Sequence, residues 1–257
     1  MAEQNIPYLI AHRGYPARYP ENSLAGLKAA MLAGACFVEI DIQLSARGTP
    51  YLCHDDHLRR LTGSDHWLTQ LDDEVINTLS VPYPGFNLTS PPETEPLSDL
   101  NTFCQLLQER PKVTAFVEIK AESLAKFGLT ATIDIILEVI YPYTKQCVLI
   151  SFDSQAVAFA RKQGAERIGW VIPKWDQGHA TIAKQLTPEF LFCNAKRLPH
   201  RIEKRWQGPW QWAVYTINHS RSVLKYADEG IPLIETDTIG TLLQHPILKR
   251  NACHPSL

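Results

Sequence analysis

The chemistry-bearing residues of this 257-residue chain gather into a few short segments. The earliest are Ile10-Ala11-His12-Arg13-Gly14, Pro20-Glu21-Asn22-Ser23 and Val38-Glu39-Ile40-Asp41-Ile42. His54-Asp55 follows, and Val117-Glu118-Ile119-Lys120 repeats the alternation of charged and aliphatic residues. Successive side chains of a strand point to opposite faces. Glu39 and Asp41 therefore share one face while Val38, Ile40 and Ile42 share the other. Glu118 and Lys120 face together in the same way. Glu39, Asp41 and Glu118, brought into one space, would repel one another and resist ionisation without a countercharge. A divalent cation supplies it. Hard oxygen donors of this kind suit one Mg²⁺ or Ca²⁺, and Mn²⁺ also fits, rather than a thiolate-loving metal.

His12 ends the first of these segments, and His54 ends a short apolar run after the first acidic pair. Imidazole exchanges protons near neutral pH, as displacement at a phosphodiester requires on both its attacking and leaving oxygens. His12 and His54 are the candidate acid/base pair. Arg13 and Lys120 offer fixed positive charge to non-bridging phosphate oxygens. Glu21 is placed either to support the metal ligands or to bind substrate hydroxyls. Asn22 stands where a helix N-cap belongs, just before an apolar-periodic segment, and is equally a candidate substrate contact.

Such side chains need rigid strands to hold them together. Short apolar runs alternate with segments of helical period, the pattern of βα units. Strands are predicted at Tyr8–Ala11, Phe37–Leu44, Val113–Ile119, Cys147–Phe152, Arg167–Ile172, Phe190–Asn194, Trp212–Thr216 and Leu233–Thr236. Helical segments fall between them, among them Asn22–Leu32, Thr130–Ile140, Ser154–Gln163 and Ser220–Glu229. Eight strands, each followed by a helix, predict an α/β fold, a (β/α)₈ TIM barrel. The length is close to the roughly 250 residues usual for one such barrel, so a single domain over 1–257 is expected. An open doubly wound sheet would call for a Gly-rich phosphate loop, and none is present.

One interval breaks the rhythm. Between His54 and Val113 lie the turn clusters Pro82-Tyr83-Pro84-Gly85 and Ser90-Pro91-Pro92, preceded by a short extra strand at Tyr51–Cys53. Ser98 or Asp99 is placed to cap a helix running to Glu109, with Pro111 stopping it. Residues 55–112 thus form a small insertion after the second strand. Loops at the C-terminal ends of barrel strands build active sites, so this insertion would shape the substrate pocket.

Composition narrows the partners. A net charge of −2 gives no global attraction to nucleic acid or to an anionic membrane. No signal-peptide pattern opens the chain, and no apolar run approaches the roughly 18 residues of a membrane span. Six scattered cysteines without a CxxC pair predict a reducing compartment, no disulfide framework and a cytoplasmic address. Trp206, Trp210 and Trp212, near Arg201, Lys204 and Arg205, read as a solvated amphipathic helix leading into a buried strand, so no stable membrane association is expected. Arg59-Arg60 reads as surface charge. The oligomeric state is left unassigned.

In order and spacing, the segments at His12–Gly14, Pro20–Asn22, Glu39 with Asp41, His54–Asp55 and Glu118 with Lys120 resemble the glycerophosphodiester phosphodiesterase family of (β/α)₈ barrel enzymes. The resemblance runs from Ile10 to about Gly240. It implies Glu39, Asp41 and Glu118 as metal ligands, His12 and His54 as general base and acid, and Arg13 and Lys120 as phosphate contacts. It further implies hydrolysis of deacylated phospholipids to sn-glycerol 3-phosphate and an alcohol, with water or the glycerol 2-hydroxyl attacking. Weaker family-like segments are Ser151-Phe152-Asp153, Thr216-Ile217-Asn218 and Thr236-Asp237. Tyr215 stands where the family often has Trp, and Ile239 where it often has Pro. The alternative is a phospholipase C or lysophospholipase D-like lipid phosphodiesterase on the same barrel. A non-catalytic barrel is disfavoured because every acid and histidine is present, and an amidohydrolase because Ile10 stands where an HxH pair needs histidine.

Overall fold

The computed structural model describes residues 5–85 and 93–253. The chain opens with β1 (Tyr8–Ala11), α1 (Leu24–Leu32) and β2 (Phe37–Leu44), and turns back into the short β3 (Pro50–Leu52). Two four-residue helices follow, α2 (Arg59–Thr62) and α3 (Asp73–Ile76). Next come the antiparallel pair β4 (Ser80–Pro82) and β5 (Thr94–Pro96), then α4 (Leu100–Gln108). The βα rhythm then resumes with β6 (Thr114–Ile119), α5 (Ala121–Phe127), α6 (Leu129–Ile140), β7 (Cys147–Ser151) and α7 (Ser154–Lys162). It continues through β8 (Ile168–Val171), α8 (Gln177–Leu186), β9 (Phe190–Asn194) and β10 (Gln211–Tyr215). The last unit pairs α9 (Ser220–Asp228) with β11 (Leu233–Thr236), followed by α10 (Ile239–Leu242).

Eight of these strands are parallel and close on themselves in the order β1, β2, β6, β7, β8, β9, β10, β11, with β11 returning to β1. β3 adds to β2 as an antiparallel outrigger. The (β/α)₈ barrel expected from the alternating pattern is the fold observed. Along β2 and β6, Val38, Ile40, Ile42, Val117 and Ile119 turn outward into the core shared with the helices. The inner floor is a second apolar cluster containing Ile10, Phe116, Val148, Phe190, Phe192 and Leu233. Phe116 meets Phe190 and Phe192 edge-on, with ring centroids 5.0 and 4.9 Å away. Each such ring or branched side chain, fully buried, is worth about 1.5–3 kcal/mol. This floor lies directly beneath the acidic layer, because Glu39 pairs in register with Phe116 and Asp41 with Glu118.

The interval after β3 builds its own small core from residues including Tyr51, Leu58, Leu61, Leu68, Ile76 and Val81. The helix expected near Ser98 or Asp99 is α4, and Asp99 caps it by accepting from the Thr102 amide at 2.8 Å. Its face of Leu100, Phe103, Cys104 and Leu107 joins the main core, so α4 serves as the barrel helix of the second unit. The Ser90-Pro91-Pro92 turn lies outside the described residues.

Two expectations are corrected. Among the described residues no α-helix follows β9, and the amphipathic helix read around Trp206 does not form. Pro199, Gly208 and Pro209 break a helix there, leaving one 3₁₀ turn at Ile202–Lys204. The buried Arg205 guanidinium instead donates to the carbonyls of Pro199, His200 and Glu229. Half-buried Trp175, Trp206 and Trp212 pack together and cover that flank, Trp175 stacking on Trp206 at 4.4 Å. The second correction is a disulfide, Cys36–Cys253, with Cα atoms 5.0 Å apart. The chain returns past β11 to the start of β2, where the Cys253 amide donates to Gly34. A separation of 217 residues hides that meeting from the sequence pattern. Cys53, Cys104, Cys147 and Cys193 are free and buried. No helix among the described residues is long and apolar enough to cross a membrane.

Candidate active site

The C-terminal mouth of the barrel is a cavity lined on one side by His12, Arg13, Glu39, Asp41, His54, Glu118 and Lys120. Seven of the nine residues singled out from the sequence are therefore brought to one wall. Ile150, Phe152, Val171, Phe192 and Tyr215 form the apolar wall opposite, and Phe152 stands 43% exposed at the rim.

Glu39, Asp41 and Glu118 each offer an oxygen within 4.8 Å of the others. All three are buried. One Glu39 oxygen, Oε2, accepts from the Arg13 amide at 3.1 Å, while Oε1 is buried with no donor among the described residues. Lys120 Nζ donates to Asp41 Oδ1 at 3.1 Å and Glu118 Oε1 at 2.8 Å. Arg13 Nε lies 3.1 Å from Asp41 Oδ2, an ion pair outside hydrogen-bond geometry. Burial pushes the Glu39 carboxyl well up, and Asp41, Glu235 and Glu118 push it further. Burial also raises Glu118, with Asp41 adding to it. Asp41 goes the other way, to about 2, because Lys120, Arg13 and His54 outweigh the burial that opposes its charge.

The loop between β1 and α1 places two further groups. Gly14 lies at φ +88°, and a Cβ there would sit 2.9 Å from the Gly26 and Leu27 backbone, so only glycine lets the loop close onto α1. Asn22 is not the helix cap: Ser23 is, its hydroxyl accepting from the Gly26 amide at 3.0 Å. Asn22 is freed for Asp41, donating to Oδ2 at 2.9 Å and accepting the Asp41 amide at 3.2 Å. Glu21 accepts from Arg13 at 3.0 Å and from Arg60 through both carboxylate oxygens at 2.7 Å.

Each histidine is oriented by an aspartate. His12 Nδ1 lies 2.7 Å from Asp237 Oδ1, and Asp237 Oδ2 accepts from Asn218 at 2.8 Å. His54 Nδ1 lies 2.6 Å from Asp55 Oδ1, and Asp55 Oδ2 accepts from Arg60 Nε. Burial opposes the charge of both aspartates but is outweighed, by the His12 hydrogen bond for Asp237 and the Arg60 hydrogen bond for Asp55, so both sit below the usual carboxylate range. Ionised aspartates require the proton on Nδ1, leaving Nε2 of each ring for the cavity. Burial opposes charge on His12 too, yet Glu235 and the Asp237 bond outweigh it and raise its pKa.

The sequence pattern missed four of these groups. Arg60, read as surface charge, ties Glu21 to Asp55. Asp237 and Asn218 were visible only as faint motif segments. Glu235 is a buried acid in an aliphatic strand, the same signal that exposed Glu39, and Asp237 stands two residues on, but threonines at 236 and 238 replace the aliphatics that made the other pairs stand out.

Fold and mouth together define a barrel enzyme built around a carboxylate centre, two aspartate-held histidines and fixed cations suited to a phosphate diester. The chain belongs to the Glycerophosphoryl diester phosphodiesterase family, whose model matches residues 12–241. A human glycerophosphoinositol inositolphosphodiesterase is 45% identical over 56 residues, 22% of this chain but only 10% of that protein. A glycerophosphodiester phosphodiesterase of Caldanaerobacter subterraneus is 24% identical over 92% of this chain and 97% of its own. Among solved structures, a Silicibacter pomeroyi protein described as a glycerophosphoryl diester phosphodiesterase superposes with TM-score 0.81 at 18% identity, covering 96% and 95% of the two chains. An Oleispira antarctica phosphodiesterase, solved with the product sn-glycerol-3-phosphate, gives 0.78 at 23% identity, covering 93% and 96%. These two likenesses speak to the fold.

Proposed function

We propose that this chain hydrolyses glycerophosphodiesters to sn-glycerol 3-phosphate and an alcohol, working as a single domain whose insertion flanks the mouth. The observation that carries the reading is the meeting of Glu39, Asp41 and Glu118 with His12 and His54 at one barrel end. Family membership and the product held by the Oleispira neighbour support it.

The site fits one divalent cation. An all-oxygen donor set and a buried Glu39 oxygen without a donor suit Mg²⁺ or Ca²⁺, with Mn²⁺ also acceptable. Glu39, Asp41 and Glu118 would hold it. Bound there, such an ion neutralises the carboxylates and lowers the pKa of an attacking oxygen. Arg13 and Lys120 bind the non-bridging phosphate oxygens and meet the charge that builds on them. His12 Nε2 takes the proton of the attacking oxygen as its bond to phosphorus forms. His54 gives a proton to the alcohol oxygen as its bond to phosphorus breaks. Asn22 holds Asp41, and Glu21 holds Arg13, so both serve the substrate-binding groups from behind.

The partner is a small diester rather than a bilayer lipid, since the tryptophans pack on the barrel flank instead of forming an exposed approach. A cytoplasmic address draws support from the four free cysteines, and the Cys36–Cys253 pair weighs against it. Glu39→Ala and His54→Ala should each lower kcat by about 10²–10⁴ in an assay of glycerol 3-phosphate release. Near-wild-type turnover in both would contradict the assignment.

A further inference from the structure

We propose that the mouth holds a second divalent-metal site, formed by His12, Glu39 and Glu235 and sharing Glu39 with the first. The proposal rests on the reading above, in which Glu39, Asp41 and Glu118 hold one ion.

Glu235 is the group that the reaction scheme leaves unused. It rises from β11, where it pairs in register with Ile10, and it lines the cavity while only 4% exposed. Among the described residues no hydrogen-bond donor reaches its carboxylate. Leaving a buried carboxylate without a partner is costly, so a group of this kind is paired or coordinates a metal. His12, Glu39 and Glu235 each present a ligand atom within 4.8 Å of the others. Glu39 belongs to both groups, so its carboxylate is the one the two sites share. Asp237 occupies His12 Nδ1, which leaves Nε2 as the ligand atom in the carboxylate–histidine–metal arrangement that fixes ring and tautomer.

The two donor sets differ in kind. The first is all oxygen. The second adds an imidazole nitrogen, which favours a transition-series ion such as Zn²⁺, and admits Mn²⁺, over Mg²⁺ or Ca²⁺. Filling it has a kinetic consequence. An ion on Nε2 occupies the lone pair that His12 needs as general base, so the second ion inhibits where the first activates.

Mn²⁺ titration of the purified chain, followed by equilibrium dialysis and electron paramagnetic resonance, tests this. Wild type should take up two Mn²⁺ in two steps, the second weaker. Because carboxylate-bridged metal pairs sit roughly 3.5–4 Å apart, the second step should bring an exchange-coupled signal. Glu235→Gln keeps the shape of the side chain. It should weaken the second step by at least about 100-fold, more than the roughly 10–100-fold lost when only an outer partner of a metal ligand is removed. In parallel, the wild-type rate should rise and then fall with Mn²⁺, and Glu235→Gln should lose the falling limb. Saturation of wild type at one Mn²⁺ overturns the site, as does a coupled pair persisting in Glu235→Gln. The binding readout does not depend on turnover. Two bound ions with no diester hydrolysis would support the site and overturn the proposed reaction, whereas hydrolysis with one bound ion would overturn the site alone.

Discussion

At the scale of single residues, the mouth places each proton-carrying ring against an aspartate and each aspartate against a further donor. Asp237 fixes His12 by accepting from Nδ1, and Asn218 fixes Asp237. Asp237→Asn would offer His12 an amide in place of an anion and loosen the tautomer that presents Nε2. The expected outcome is a fall in kcat of about 10²–10⁴ with little change in KM, since no phosphate contact is touched. Steady-state kinetics on a glycerophosphodiester checks it, and an effect confined to KM would count against the role. Strand alternation made Glu39, Asp41, Glu118 and Lys120 legible in the sequence, because two charged pairs at i, i+2 stood out among aliphatics. Asp237 stands two residues after Glu235 but between two threonines, so it did not stand out among aliphatics as those pairs did. Its partner lies 225 residues away, and only closure of the barrel brings β11 back beside β1.

At the scale of elements, the short helix α2 matters more than its length suggests. Its Arg60 joins Glu21, on the loop after β1, to Asp55, which orients His54. Burial opposes the charge on Glu21, but the Arg60 hydrogen bond outweighs it and lowers the pKa. Asp55 is lowered likewise: burial opposes its charge, and the Arg60 hydrogen bond, followed by that of His54, outweighs it. Carboxylates depressed in the folded state stabilise it fully above their unfolded pKa and lose that contribution as pH falls through the folded value. Arg60→Met should therefore cost about 1 kcal/mol at pH 7, discounted because Arg60 is half exposed. The gap from wild type should close as pH drops below about 4, the unfolded carboxylate range. Urea unfolding at both pH values measures it, and a pH-independent gap would rule this linkage out. Four barrel strands, β1, β2, β9 and β11, have the bounds that hydrophobic runs and turn residues predict, and the other four differ by one residue at one or both ends. The missing helix after β9 was not foreseen, because tryptophan and basic residues imitate an amphipathic pattern that Pro199, Gly208 and Pro209 then forbid.

At the scale of the whole molecule, barrel closure and the tail that returns past β11 set the stability. The Cys36–Cys253 link closes nearly the full chain. Reducing it, or substituting Cys36→Ser, should lower unfolding free energy by about 2–5 kcal/mol, read from urea unfolding with and without reductant. No change would mean that the pair does not form in solution. The closed barrel was legible from the alternation of strands and helices, and its catalytic end from the acids that close the strands. The meeting of the tail with the start of β2 was not, since scattered cysteines give no spacing to read. The central claim is that this mouth hydrolyses a glycerophosphodiester only with a divalent ion at Glu39, Asp41 and Glu118. A coupled assay of glycerol 3-phosphate release from glycerophosphocholine and glycerophosphoethanolamine, with EDTA and then with Mg²⁺ or Ca²⁺ restored, tests it directly. Release that EDTA abolishes and a restored ion recovers is the expected result; no release from any diester, or release indifferent to EDTA, would contradict the claim.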